Sequence, residues 1–165
     1  MSPEGSTVTF RRVPEILRYR LKRPLERFAS TLEREVAAGR TFACLVTTDA
    51  ELRRLNRAFR GKDAVTDVLS FRAGPLPDAK ARDRGRGCER NRVLGDVAIS
   101  LARARDQARQ FGHELEDEIR ILMLHGLLHL LGMDHEADRG RMARTERSWR
   151  ARLGLPLGLI ERAAS

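Results

Sequence analysis

The sequence predicts an α+β fold, a small mixed sheet packed with about five helices. Two observations carry this expectation. Short apolar or β-branched runs alternate with amphipathic stretches through the first hundred residues, and the last third of the chain has helical periodicity almost throughout. The implied order is strand, helix, strand, helix, strand, strand, then helices, with no internal repeat.

Residues 7–10 alternate polar and apolar side chains and form a first strand. Beyond Pro14, apolar residues fall at Leu17, Leu21, Leu25, Phe28, Leu32 and Val36. Those spacings of three and four mark an amphipathic helix, with a break or restart expected at Pro24 and a stop at Gly39. Residues 41–47 read as a buried strand. Asp49 is then placed as the cap of a short helix whose apolar face is Leu52, Leu55 and Phe59. Residues 60–66 have no clear period. Residues 68–71 and 94–99 are two further strands, and Ser100 caps a helix that stops at Gly112. Another helix runs from about 114 to 131 and ends at Gly132, a residue type suited to a left-handed C-terminal turn. A last helix covers roughly residues 138–153.

Between the third and fourth strands, residues 74–92 read GPLPDAKARDRGRGCERNR, rich in Pro, Gly and charge. This is a flexible basic loop rather than a linker, because too little chain lies on either side for two cores. One domain over residues 1–165 is the expectation.

Composition narrows the function classes. Hydrophobic residues make up 41% of the chain, enough for a core, but aromatics only 5%, so that core rests on Leu, Val, Ile and Ala. No stretch approaches the roughly 18–20 apolar residues of a membrane span, and no signal-peptide core precedes the first strand. A cytoplasmic protein with no membrane partner is expected. Cys44 and Cys88 are far apart and supply neither a disulfide framework nor a metal knuckle. The net charge of +9, from 32 Lys and Arg against 23 Asp and Glu, suits a polyanionic partner. Charge alone does not choose RNA over DNA.

The most informative segment is HGLLHLLGMDH, from His125 to His135. His125 and His129 are one turn apart on one helix face, close enough for two imidazole nitrogens to reach one ion. Gly132 ends the helix, and His135 swings back to complete three nitrogens. Three protein ligands with a fourth position left for water is the pattern of a catalytic zinc, whereas a structural zinc is closed by four ligands. Three of the four histidines fall within eleven residues. Composition alone gives that in roughly one shuffle of twenty-five, so the spacing, not the clustering, is the signal. A zinc peptidase would carry a Glu beside the first ligand as general base. Here that residue is Gly126, which can move no proton. The base is then solvent at the metal, Asp134, or a residue from elsewhere in the fold.

A second segment, NRAFRGKDAVTDVLSF, gathers Arg57, Arg60 and Lys62 before a strand. Arg60 is suited to binding a phosphate and stabilising developing negative charge, although most arginines in so basic a chain are solvated surface groups. Arg57 and Lys62 are candidate RNA contacts. Ser70 either meets substrate or ends a strand. His113 either faces the cleft or begins a helix. Asp96, in LGDVAIS, either buttresses a ligand or sits at a strand edge.

HGLLHLLGMDH, LNRAFRGKDAVTDVLSF and LGDVAIS together resemble the YbeY family of bacterial endoribonucleases, also called rRNA maturation factors. The likeness spans roughly residues 41–147, with the three motifs in the family's order. It implies a zinc-dependent endoribonuclease acting on single-stranded RNA, engaged with the ribosome in maturing the 3′ end of 16S small-subunit rRNA and in ribosome quality control. It also implies that His125, His129 and His135 hold the zinc beside a positively charged surface, and that Arg60 is functionally important. The chain departs from the family pattern at Val65 and Arg72, where Pro is usual, and at Met133, where Tyr is common. Two other functions compete. One is a non-enzymatic assembly factor with a structural zinc, and the other is a peptidase or amidohydrolase, which the absent Glu disfavours.

Overall fold

The computed structural model describes residues 5–74 and 92–156, so the basic loop at 74–92 falls almost wholly outside the described residues. The elements follow the expected order. They are β1 (Thr7–Phe10), α1 (Glu15–Glu35), β2 (Thr41–Thr47), α2 (Asp49–Arg60), β3 (Val68–Arg72), β4 (Val93–Ser100), α3 (Leu101–Phe111), α4 (Leu115–Leu130) and α5 (Arg141–Arg152). The four strands form one sheet in the order β1-β2-β4-β3. β1, β2 and β4 are parallel, and β3 pairs antiparallel with β4. The fold is α+β with a mixed sheet, as the sequence predicted. No helix among the described residues is long and apolar enough to cross a membrane.

Strand alternation sorts side chains onto two faces. Phe42, Cys44 and Val46 of β2, with Val97 and Ile99 of β4, join α1, α3, α4 and α5 in the main core, and the irregularity opposite Thr41 and Phe42 brings Leu94 of β4 into it as well. On the opposite face Leu69 and Ala98 meet Leu52 of α2 in a smaller cluster. α4 is the centre of the main core, with eleven of its 16 residues buried. A helix apolar on nearly every side is a core helix rather than an amphipathic surface one.

Gly126 fixes how closely α4 lies on the sheet. A Cβ there would stand 2.6 Å from Val97 Cγ1 and 3.2 Å from Ser70 Oγ. The position is therefore filled from the sheet side, and the Ser70 hydroxyl donates to Gly126 O at 2.9 Å.

Three local expectations are corrected. Pro24 does not break α1, which is continuous through it. An interior proline costs roughly 3 kcal/mol, whereas each fully buried Leu or Phe contributes about 1.5–3 kcal/mol. Leu21, Leu25, Phe28 and Leu32 are buried on both sides of the proline, and their burial outweighs the lost hydrogen bond. The cap of α2 is Thr48, whose hydroxyl accepts from Glu51 N at 3.3 Å; Asp49 instead accepts a hydrogen bond from the Ser100 hydroxyl. Phe59, expected on the buried face of α2, is 69% exposed. Asn56 is buried in its stead, with its amide donating to Ala64 O at 3.0 Å. Ser100 caps α3 as expected, its hydroxyl accepting from Arg103 N at 3.2 Å.

Candidate metal centre

The last turns of α4 and the bend after it build the site. His125 is buried, His129 half-buried and His135 exposed. Gly132 adopts φ +92°, a left-handed conformation that lets the chain reverse at the end of α4. Gly132 N donates to His129 O at 2.9 Å and Met133 N to Leu128 O at 3.1 Å. The reversal carries His135 back beside the two helical imidazoles. The ring centres are 4.8 Å apart for His125 and His129, 5.6 Å for His125 and His135, and 5.5 Å for His129 and His135. One nitrogen of each ring lies within 4.8 Å of the others.

The hydrogen bonds behind the rings decide which nitrogens face inward. His129 Nδ1 stands 2.9 Å from Met133 O, which can only accept. His125 Nδ1 stands 2.9 Å from a carboxylate oxygen of Glu146. With both Nδ1 atoms protonated, the two neutral rings turn their Nε2 lone pairs toward each other at 3.1 Å. Two facing lone pairs repel unless a cation lies between them. Two nitrogens bound tetrahedrally at 2.0–2.1 Å stand roughly 3.3 Å apart, so the observed spacing fits a single ion. Burial, then the neighbouring His125 and His135 rings, push the pKa of His129 down to about 4. His129 is therefore neutral at physiological pH, the form that binds metal.

The imidazoles line a cleft of about 590 Å³. Its other wall is β3 and the segment leading into it. Val68, Ser70 and Arg72 alternate toward α4, and Arg60, Lys62, Thr66 and Asp67 reach the same space. Arg60 Nη2 donates to Ser70 O at 3.4 Å, and Arg72 Nη2 to His129 O at 3.1 Å. Both guanidinium groups rest on neutral carbonyls. No ion pair among the described residues uses Arg60, Lys62 or Arg72. Two of the three carboxylates that line the cleft are occupied by other donors. Asp67 accepts from Val68 N and from Gln107, and Asp134 accepts from Glu136 N. The cations keep donors to spare for an anionic ligand.

The structure thus brings His125, His129, His135, Arg60, Lys62, Ser70 and Asp134 to one cleft and leaves three sequence candidates outside it. Asp96 is exposed on the α2 face of the sheet, beside Leu55, Phe59 and Phe71. Its neighbour Val97 faces α4, and strand parity turns Asp96 the other way. His113 lies before the start of α4, with its ring bonded to the buried carboxylate of Glu118. His125 is ten residues beyond the first residue of α4, some 15 Å along the helix axis at about 1.5 Å per residue, so His113 does not face the cleft. Arg57 is exposed on α2 and does not line it. Sequence reasoning missed Arg72, Asp67 and Glu146. Glu146 did leave a signal, a carboxylate four residues after Met142, within the stripe that α5 buries.

Fold and site together define a class, a small α+β protein whose core helix and the bend after it present three imidazoles able to hold a metal ion, in a cleft whose cations form no ion pair among the described residues. Sequence comparison supplies the particular family. Residues 11–154 match the family model described as Endoribonuclease YbeY. An endoribonuclease YbeY of Solibacter usitatus is 62% identical over 165 residues, 99% of each chain. One of Helicobacter pylori is 40% identical over 139 residues, 84% of this chain and 87% of that one. A Thermotoga maritima protein solved in solution shares the fold, with a TM-score of 0.52 and 24% identity over 87% of this chain and 85% of that one. The chain belongs to the YbeY endoribonuclease family.

Proposed function

We propose that this protein is a zinc-dependent endoribonuclease that cleaves single-stranded RNA, and that its substrate is the 3′ region of 16S small-subunit rRNA on maturing ribosomes in the cytoplasm, with a part in ribosome quality control. The observation that carries the reading is the pair of inward Nε2 atoms 3.1 Å apart, joined by a third imidazole, in a cleft that holds unpaired guanidinium groups. The family supports the choice of an RNA phosphodiester over other anions.

When bound, zinc supplies Lewis acidity that polarises a phosphoryl oxygen and makes water a competent nucleophile near neutral pH. His125, His129 and His135 hold it. Arg60 is the catalytic residue that stabilises the charge developing on the phosphate, because its guanidinium has donors to spare and no carboxylate partner among the described residues. Lys62 and Arg72 hold the flanking phosphates of the chain. Asp134, which lines the same cleft, takes the proton of the attacking water at its second carboxylate oxygen. Ser70, whose hydroxyl is committed to Gly126 O, shapes the floor of the cleft. A Cβ at Gly126 would stand 2.6 Å from Val97 Cγ1, so no peptidase-type base has room there.

The test is cleavage of a single-stranded RNA oligonucleotide by purified protein, with and without chelator, beside His129→Ala and Arg60→Ala. Chelation and His129→Ala should abolish cleavage, and Arg60→Ala should slow it on the order of 10²–10³-fold. Undiminished cleavage in all three arms would reject the assignment. Depleting the protein in its host should lead to 3′-extended 16S rRNA. Normal 3′ ends would remove the rRNA part of the reading.

A further inference from the structure

One buried carboxyl group behind the metal centre has no role in the chemistry above. Glu146, on α5, is 1% exposed, and its Oε2 stands 2.9 Å from Nδ1 of His125, 21 residues earlier in the chain. Burying a carboxylate is costly unless it is hydrogen-bonded or paired. The equivalent nitrogen of His129 meets a neutral main-chain oxygen, Met133 O, also at 2.9 Å. Two imidazoles on one helix face are therefore braced through the same ring atom by unlike acceptors.

We propose that Glu146 is a positioning residue of the metal centre. By accepting the Nδ1–H of His125 it fixes that ring's tautomer and aims its Nε2 lone pair into the cleft. As a carboxylate acceptor it also makes His125 the stronger of the two helical electron donors to a metal. A carboxylate behind a ligating imidazole raises the electron density available to the metal, whereas a main-chain carbonyl mainly orients its ring. Glu146 reaches the centre from α5 and so ties the position of that helix to the geometry of the ligands. The proposal rests on reading the three imidazoles as a metal site.

The experiment compares the full-length protein with Glu146→Gln, which keeps an accepting oxygen without the charge, and Glu146→Leu, which removes both. Zinc affinity is read by competition with a chromogenic chelator. The tautomer of His125 is read from the imidazole nitrogen shifts of the metal-free protein at mildly alkaline pH. Glu146→Leu should lower zinc affinity about 10–100-fold, and Glu146→Gln should fall between it and the wild type. His125 should lose its Nδ1–H preference in Glu146→Leu, while His129, held by the main chain, keeps its own. Should Glu146→Leu not fold, Glu146→Gln alone decides the affinity arm. Folded variants that bind zinc within about twofold of wild type overturn the proposal, since a brace of this kind is worth more than that. Wild-type protein that binds no zinc overturns the metal reading as well, and the two failures are thereby told apart.

Discussion

Gly126 shows how one missing side chain shapes the site. Val97 is fully buried and β-branched, and its stiff χ1 leaves it little room to yield to a Cβ 2.6 Å away. Gly126→Ala should therefore destabilise the metal-free protein by about 1–3 kcal/mol in urea unfolding, although alanine is the better helix former by about 1 kcal/mol. Unchanged stability would mean that α4 can lift from the sheet. Cys44 offers a second check at this scale. It is fully buried and desolvation pushes its thiol up to about 12, which keeps it protonated and inert at ordinary pH. In a Cys88→Ser variant, a thiol reagent at pH 8 should leave the native protein unlabelled and react fully once the protein is denatured. Rapid native labelling would show that the β2 face of the core opens. Both features were only half legible in the sequence. The apolar run around Cys44 marked it as core, but nothing local showed that the empty side of Gly126 packs against Val97 of β4.

Whole elements were the most legible part of the chain, because periodicity, caps and stops are written within a few residues of one another. The helix ends at Gly112 and Gly132 and the cap at Ser100 stand where those signals put them. The errors were local competitions. Thr48 and Asp49 both suit an N-cap, and Thr48 holds the position while Asp49 turns to Ser100. Thr48→Ala should cost about 1 kcal/mol of stability and leave zinc affinity unchanged, since α2 supplies none of the three imidazoles. A drop in affinity would show that α2 is coupled to the centre. The three histidines were legible for the same local reason as the helices: a turn of helix plus a glycine bend places them. Asp96 and His113 were not, because strand parity and distance along α4 decided their positions. Glu146 was legible only as a carboxylate in line with Met142, because its partner is on another helix.

At the level of the molecule, the main core is built from apolar side chains. Leu, Ile, Val and Met side chains from both sides of the chain meet around α4, and the imidazoles lie at the cleft end of that helix. Removing the metal should therefore lower the melting temperature without unfolding the protein at 25 °C. At a hundredfold excess over the dissociation constant, zinc should add about 2.7 kcal/mol. A chain that unfolds on chelation would instead favour the structural-zinc assembly factor. RNA retention should also weaken steeply as salt rises if, as proposed, a chain of net charge +9 holds phosphates through its cleft cations. The double duty of α4, as keel of the domain and as bearer of two imidazoles, leaves it little latitude to change. Selection for a new cleavage preference would find its tolerated changes on the rim, among Lys62, Thr66, Arg72 and Glu136, while replacements along the keel would be eliminated for poor folding before their chemistry could be tried.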